Sequence, residues 1–349
     1  MGISISDFGR LEDGRSAKLI TIANNNGMTV EVSDYGATLV SAVVPDKNGS
    51  CADVILGFGD VTDYAKNGGF LGAVVGRSGN RIAGGAFEIN GKKYQLDKNE
   101  NGNNLHSGLN GYEHMTWDTS IDEENLSVTF SLHDADMSQG YPGNLDISVT
   151  YTLTADNALK LQYRGAADQD TIVNPTNHAY FNLEGHDSGT ILDHILMIDA
   201  DGITEVDQEC IPTGVILPVE GGVFDFRTPK VIGLEIDADD VQLHMGKGYD
   251  HNFALNTDGT MKKVAEVTAP VSGRKMEVFT DCVGIQFYAG NCIPEGTIGK
   301  DGKAYEVRTG FCLETQFYPD AIHHDNFKSP VLKAGEKFYS ETVYKFSAQ

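Results

Sequence analysis

The chain is poor in positive charge. Among 349 residues it has 26 lysines plus arginines against 50 aspartates plus glutamates, for a formal net charge of −24. Such a surface repels phosphates, which argues against nucleic acid and against an anionic membrane as partners. Long apolar runs are missing too: no segment approaches the roughly 18 consecutive apolar residues of a membrane span. The first ten residues, Met1 to Arg10, have no basic region followed by an apolar stretch, so no secretory signal is expected. Cysteines number only five (Cys51, Cys210, Cys282, Cys292 and Cys312), and no two form a C-x-x-C pair. That pattern fits reduced, mostly buried thiols in a cytoplasmic protein rather than a disulfide framework. The glycosylation sequons at Asn48 and Asn125 carry little meaning without secretion.

Several catalytic signatures are also absent. There is no Walker A glycine loop, no H-E-x-x-H and no G-x-S-x-G elbow. Gly57-Phe58-Gly59 lacks the third glycine of a dinucleotide fingerprint and does not open a helix. ATP, NAD and catalytic zinc therefore have no support in the sequence. Amphipathic helices are scarce, with Val61 to Lys66 fitting a short turn of helix at most.

What is present is a series of strand and turn signals. Ile147, Val149, Tyr151 and Leu153 alternate with Ser148, Thr150 and Thr152, the period of a half-buried strand. Asn90-Gly91 separates Phe87-Glu88-Ile89 from Tyr94-Gln95-Leu96, and Asp258-Gly259 separates Asn252 to Leu255 from Val264 to Val267. Both are expected to be hairpins, because Asn, Asp and Gly tolerate the positive φ of the favoured turns. Asn48-Gly49 and Asp301-Gly302 repeat the signal, and 40 glycines against 10 prolines agree with many tight turns. With no repeat, linker or low-complexity stretch, the expectation is an all-β chain, a large antiparallel β-sandwich forming a single domain over residues 1–349.

Five segments are denser in polar groups than a sandwich core would choose. They are Gly76-Arg77-Ser78-Gly79-Asn80-Arg81-Ile82, Asn103-Asn104-Leu105-His106-Ser107-Gly108, the stretch from Asn174 to Leu183, Gly248-Tyr249-Asp250-His251-Asn252-Phe253, and Phe311-Cys312-Leu313-Glu314-Thr315-Gln316-Phe317-Tyr318-Pro319-Asp320. Each has a bland reading: a solvated turn, a loop histidine, a structural histidine held by asparagines, or a turn at a strand entry. In the last segment an extended chain points Cys312, Glu314 and Gln316 to one face and Phe311 and Leu313 to the other. A carboxylate in so apolar a run should have its proton affinity altered by burial, which suits a general base, although a buried ion pair would read the same way.

Taken together and in this order, the five segments resemble the aldose 1-epimerase family, also called galactose mutarotases. Gly284-Ile285-Gln286-Phe287-Tyr288-Ala289-Gly290-Asn291 is similar to a further strand of that family. The resemblance covers most of the chain. It implies a galactose mutarotase-like sandwich with a sugar cleft across one sheet, acting on small aldoses without metal or organic cofactor. It places the proton acceptor on Glu314 and the proton donor on His178. Sugar contacts fall on Asn80, Arg81, His106, Tyr180, Asp250 and Gln286, with Arg77 in the same motif. Near neutral pH, neighbouring carboxylates are expected to raise the proton affinity of His178. Two departures are visible: Phe317-Tyr318 stands where many members have His-Phe, and Ser107 stands where many have glycine. Neither removes an acid–base group. The rival readings are a hexose-6-phosphate epimerase, which would need extra basic residues, a non-catalytic carbohydrate-binding module, and a glycoside hydrolase using Glu314 with Asp250. His323-His324-Asp325 reads as a solvated loop rather than a metal site. Monomer and homodimer are both compatible with the sequence.

Overall fold

A computed structural model describes residues 1–66 and 68–349. Every pairing between its strands is antiparallel, as hairpin signals spread along a chain require. A nine-stranded sheet forms the largest layer. In order it runs Asp118–Asp122, Ser127–Asp134, Leu145–Leu153, Ala158–Ala167, Lys337–Ala348, Arg274–Thr280, Lys262–Thr268, Ile195–Ile198 and Lys230–Val231. A five-stranded sheet is built by the amino-terminal strands from Gly2–Arg10 to Cys51–Asp53. A second five-stranded sheet has the order Pro212–Pro218, Ala200–Val206, Asp250–Leu255, Gly284–Tyr288 and Cys312–Gln316. Among the described residues, α-helix is confined to Val61–Lys66, where the sequence points to it, and Val241–Gly246, which Asp240 caps through the Gln242 and Leu243 amides.

The period-2 pattern explains the layering. In Leu145–Leu153 the apolar residues are buried and the Ser and Thr residues between them half-buried. One apolar core joins all three sheets: Val30 and Ala42 from the first, Val149, Leu161 and Tyr344 from the nine-stranded, and Phe253, Ile285 and Leu313 from the third. Cys312–Gln316 is buried on both faces. Leu313 turns to the core, where the Tyr344 hydroxyl donates to its carbonyl at 3.0 Å, leaving Cys312, Glu314 and Gln316 on the opposite face.

Asn90-Gly91 closes the expected hairpin, with φ of 54° and 75° and Phe87 paired with Tyr94. Asn48-Gly49 and Asp301-Gly302 also join paired strands. Asp258-Gly259 does not. The strands on either side of it, Asp250–Leu255 and Lys262–Thr268, lie in different sheets, so this turn is a crossover between layers. The thiols are less buried than expected: all five are free, but only Cys312 is buried, and Cys51 and Cys292 are exposed.

Arg77 departs furthest from its expected place. Its side chain is 0% exposed and turned into the core. Nε donates to Asp134 Oδ2 at 2.8 Å, and Nη1 donates to the carbonyls of Pro142 and Gly143 and to Thr171 Oγ1. With its donors engaged this way, Arg77 is a structural residue rather than a sugar contact. Arg77→Leu leaves Asp134 buried without its cation, and the expected loss is about 3–5 kcal/mol, measured by urea unfolding, with KM of the native fraction unchanged. Normal stability with a raised KM would return Arg77 to the sugar site.

Candidate active site

Strand register assembles one end of the site. Glu314 pairs with Gln286, which pairs with Asn252; one step along, Cys312 pairs with Tyr288, which pairs with Asp250. Paired residues in an antiparallel sheet point to the same side, so three strands present Asp250, Gln286, Tyr288, Cys312 and Glu314 on one face. The opposite wall comes from irregular segments tied down by their own amides. Asn177 Nδ2 donates to the Gly72 carbonyl at 2.8 Å, while the His178 amide donates to Ala73 and the Gly72 amide to His178. Asn174 Oδ1 accepts the Phe317 amide at 2.9 Å, which locks this segment to the end of the Cys312–Gln316 strand. The asparagines around His178 are therefore supports that place the imidazole.

The two walls enclose a cleft of about 180 Å³. That is smaller than the roughly 300–1,000 Å³ of drug-sized ligand sites, and it suits a single small molecule. Asn80, Arg81, His106, His178, Tyr180, Asp250 and Glu314 line it. Gln286 stands behind this lining, where its Nε2 donates to Asp250 Oδ1 at 2.7 Å. Phe70, Glu100, Tyr288 and Cys292 are also in the wall and were not singled out in the sequence. Tyr288 follows from the same alternation that places Gln286. Phe70 and Glu100 have no comparable signal. A larger concavity, about 770 Å³, opens on the outer face of the nine-stranded sheet, but its His133 and Asp146 are exposed to water.

His178 and Glu314 face each other, with Nε2 3.8 Å from Oε1. They are 6% and 2% exposed, so their charged forms are poorly hydrated. Burial, reinforced by the Asp250 charge and opposed by Arg81, pushes the Glu314 carboxyl well above the usual carboxylate range. Burial lowers His178 to about 4. This reverses the expectation that neighbouring carboxylates raise it: the rings of Phe70, Tyr180, His106 and Tyr288 surround the imidazole at 5.1 to 6.3 Å, and desolvation outweighs the backbone hydrogen bond that favours the charged ring. Glu314 Oε2 and Gln286 Oε1 are buried without a hydrogen-bond partner, and such atoms call for a ligand hydroxyl or water. Arg81 forks onto Glu100 at 2.6 and 3.0 Å. Burial works against its charge, but Asp250 and Glu100 outweigh that and keep it protonated.

His106, His178 and Glu314 offer ligand atoms within 4.8 Å of one another, a spacing that invites a cation. The chemistry of His106 opposes one. Its Nδ1 accepts the Asn80 amide at 3.1 Å, which leaves the ring proton on Nε2. That nitrogen can donate to a hydroxyl but has no lone pair for a metal. His323 and His324 are likewise occupied: His323 is exposed, as expected of a solvated loop, with Nδ1 2.6 Å from Asp320 Oδ1, while His324 is half-buried, with Nε2 3.1 Å from the Pro212 carbonyl. Activity should survive exhaustive chelation. Loss to chelator with recovery on adding a divalent ion would overturn this account of His106.

Comparison with known proteins identifies the family. Residues 18–345 match the family model described as aldose 1-epimerase. A galactose mutarotase of Rattus norvegicus is 41% identical over 341 residues, 97% of each chain. An aldose 1-epimerase of Haemophilus influenzae is 41% identical over 337 residues, 96% of this chain and 97% of the relative. The crystal structure of an aldose epimerase homologue from C. elegans superposes with a TM-score of 0.87 at 31% identity, covering 95% of this chain and 99% of that one. With this similarity running through nearly the whole length, the chain belongs to the aldose 1-epimerase family.

Proposed function

We propose that the chain is an isomerase, an aldose 1-epimerase that interconverts the α and β anomers of free aldohexoses such as glucose and galactose. The observation that supports this most directly is the buried pair of Glu314 and His178, 3.8 Å apart at the floor of a cleft sized for one small molecule. Anomer exchange opens the pyranose ring. The C1 hydroxyl loses a proton and the ring oxygen gains one; the C1–C2 bond rotates, and the ring closes on the other face. Only C–O bonding at C1 changes, so no hydride carrier is needed. Glu314 is the base at the C1 hydroxyl and His178 the acid at the ring oxygen. His106 Nε2–H, Asn80, Arg81, Tyr180 and Asp250 hold the sugar hydroxyls, and Gln286 steadies Asp250.

The two catalytic groups share one proton. Burial favours the form with neutral Glu314 and neutral His178, while the productive form is Glu314 carboxylate with His178 imidazolium. Both contain the same single proton, so pH does not select between them, and the pair titrates as a unit. Activity falls at low pH when a second proton enters, toward the His178 value of about 4, and at high pH when the shared proton leaves the raised Glu314 carboxyl. Across neutral pH the rate should be flat.

A hexose 6-phosphate is a poor fit. Among the described residues lining the cleft, Arg81 is the sole Lys or Arg, and it is already paired with Glu100. We further infer that the chain works as one domain, in the cytoplasm; among the described residues, no helix is long and apolar enough to cross a membrane.

Optical rotation of freshly dissolved α-glucose and α-galactose tests this reading, with reducing-sugar release from a glycoside as the contrast that would mark a hydrolase. Glu314→Gln keeps the shape and removes the base, so kcat should fall about 10²–10⁴-fold with KM little changed. His178→Asn should do the same. Near-normal mutarotation by Glu314→Gln would overturn the assignment of the base and make Asp250 the next candidate.

A further inference from the structure

Cys312 has no part in the proton exchange just described, yet its sulfur lies 3.4 Å from His178 Nδ1, the ring nitrogen turned away from Glu314. Strand alternation places it there, because Cys312 is two residues before Glu314 and rises on the same face. It is completely buried, and burial together with the Glu314 and Asp250 charges pushes its proton affinity well up, so it stays a neutral thiol.

The other polar neighbours of the imidazole are engaged elsewhere. Tyr180 Oη donates to the Gly69 carbonyl at 2.9 Å, and Tyr288 Oη accepts the Cys292 amide at 2.7 Å. The carbonyl of His178 itself already accepts the Gly72 amide. His106 meets the ring edge to face, and Glu314 and the cleft lie on the Nε2 side.

A group that gives up a proton on ring opening and recovers it on ring closure must exchange it at one fixed atom. For His178 that atom is Nε2, so the proton on Nδ1 must stay in place throughout. A carboxylate at Nδ1 would hold that proton but would also stabilise the imidazolium and blunt its acidity. A thiol sulfur is a weak, uncharged acceptor. We propose that Cys312 is a positioning residue whose sulfur accepts the Nδ1–H of His178, fixing the tautomer and ring orientation that leave Nε2 to exchange protons with Glu314 and the sugar.

The inference rests on His178 as the proton donor, and the test separates the two. In Cys312→Ala, kcat should fall about tenfold, the size seen when a ligand histidine loses its outer partner, while KM stays within about twofold. Nitrogen-15 spectra of His178 should shift from a single Nδ1–H form toward a mixture of tautomers. Cys312→Ser, whose hydroxyl can also accept, should keep kcat within about threefold of the parent and keep the Nδ1–H signal. A circular dichroism spectrum and KM matching the parent show that each variant is folded. Normal kcat and unchanged His178 signals in Cys312→Ala would overturn the inference; so would Cys312→Ser being as impaired as Cys312→Ala, since that marks a packing role for sulfur. If His178→Asn turns over normally, the donor assignment itself falls. If His178→Asn is inactive and Cys312→Ala is normal, only the role of Cys312 falls.

Discussion

The proposed chemistry depends on burying two proton carriers side by side with one proton between them. In water, a glutamate and a histidine at neutral pH settle as carboxylate and mostly neutral imidazole, and neither is poised to exchange. Inside the cleft, the desolvation that raises Glu314 and lowers His178 brings two states of the pair into competition. The proton resides on one group or the other, and a sugar that needs a proton removed at C1 and another supplied at the ring oxygen uses both states. The other cleft features preserve this condition. Phe70 and Tyr180 stack on the His178 ring and limit water, and Asp250 adds a charge that keeps Glu314 from ionising early.

That arrangement sets a demand on the fold, because buried polar groups need precise supports. The third sheet meets it with register: Asp250, Tyr288 and Cys312 form one paired row, and Asn252, Gln286 and Glu314 the next. The facing wall has little regular structure, so side-chain amides take the place of a ladder. Asn174, Asn177 and Asn182 each bond to backbone groups of distant segments, which fixes His178 and Tyr180 between them. The asparagines read as structural holders in the sequence do that work, and the histidine among them is the group to which the proposed mechanism assigns the proton.

Much of this was legible because its signals are local. Asn90-Gly91 needs nothing beyond its own φ angles to close a hairpin, and a carboxylate amid Phe311, Leu313 and Phe317 announces its burial. Distant contacts were not legible. Arg77 and Arg81 look alike in one motif, but Asp134, 57 positions away, draws Arg77 into the core while Glu100 holds Arg81 at the cleft. Asp258-Gly259 has hairpin chemistry, yet its flanking strands find better partners in separate sheets. The direction of the His178 shift depends on aromatic rings from several segments, and Phe70 is a residue that any core might use.

The charge balance of the cleft bears on its substrate. Arg81 and Glu100 neutralise each other, and Glu314 and His178 with their shared proton are neutral as a pair. Asp250 remains; burial raises its carboxyl, with Arg81 and the Gln286 amide pulling it back. The site is therefore neutral or slightly negative, in a chain whose net charge is −24. A phosphorylated sugar entering this cleft would meet no unpaired cation and an opposing field. A free aldose loses nothing to that field, and its hydroxyls supply the partner that Glu314 Oε2, in the cleft lining, lacks. On the proposed mechanism, the same burial that makes the pair reactive thus also favours a neutral, hydroxyl-rich ligand.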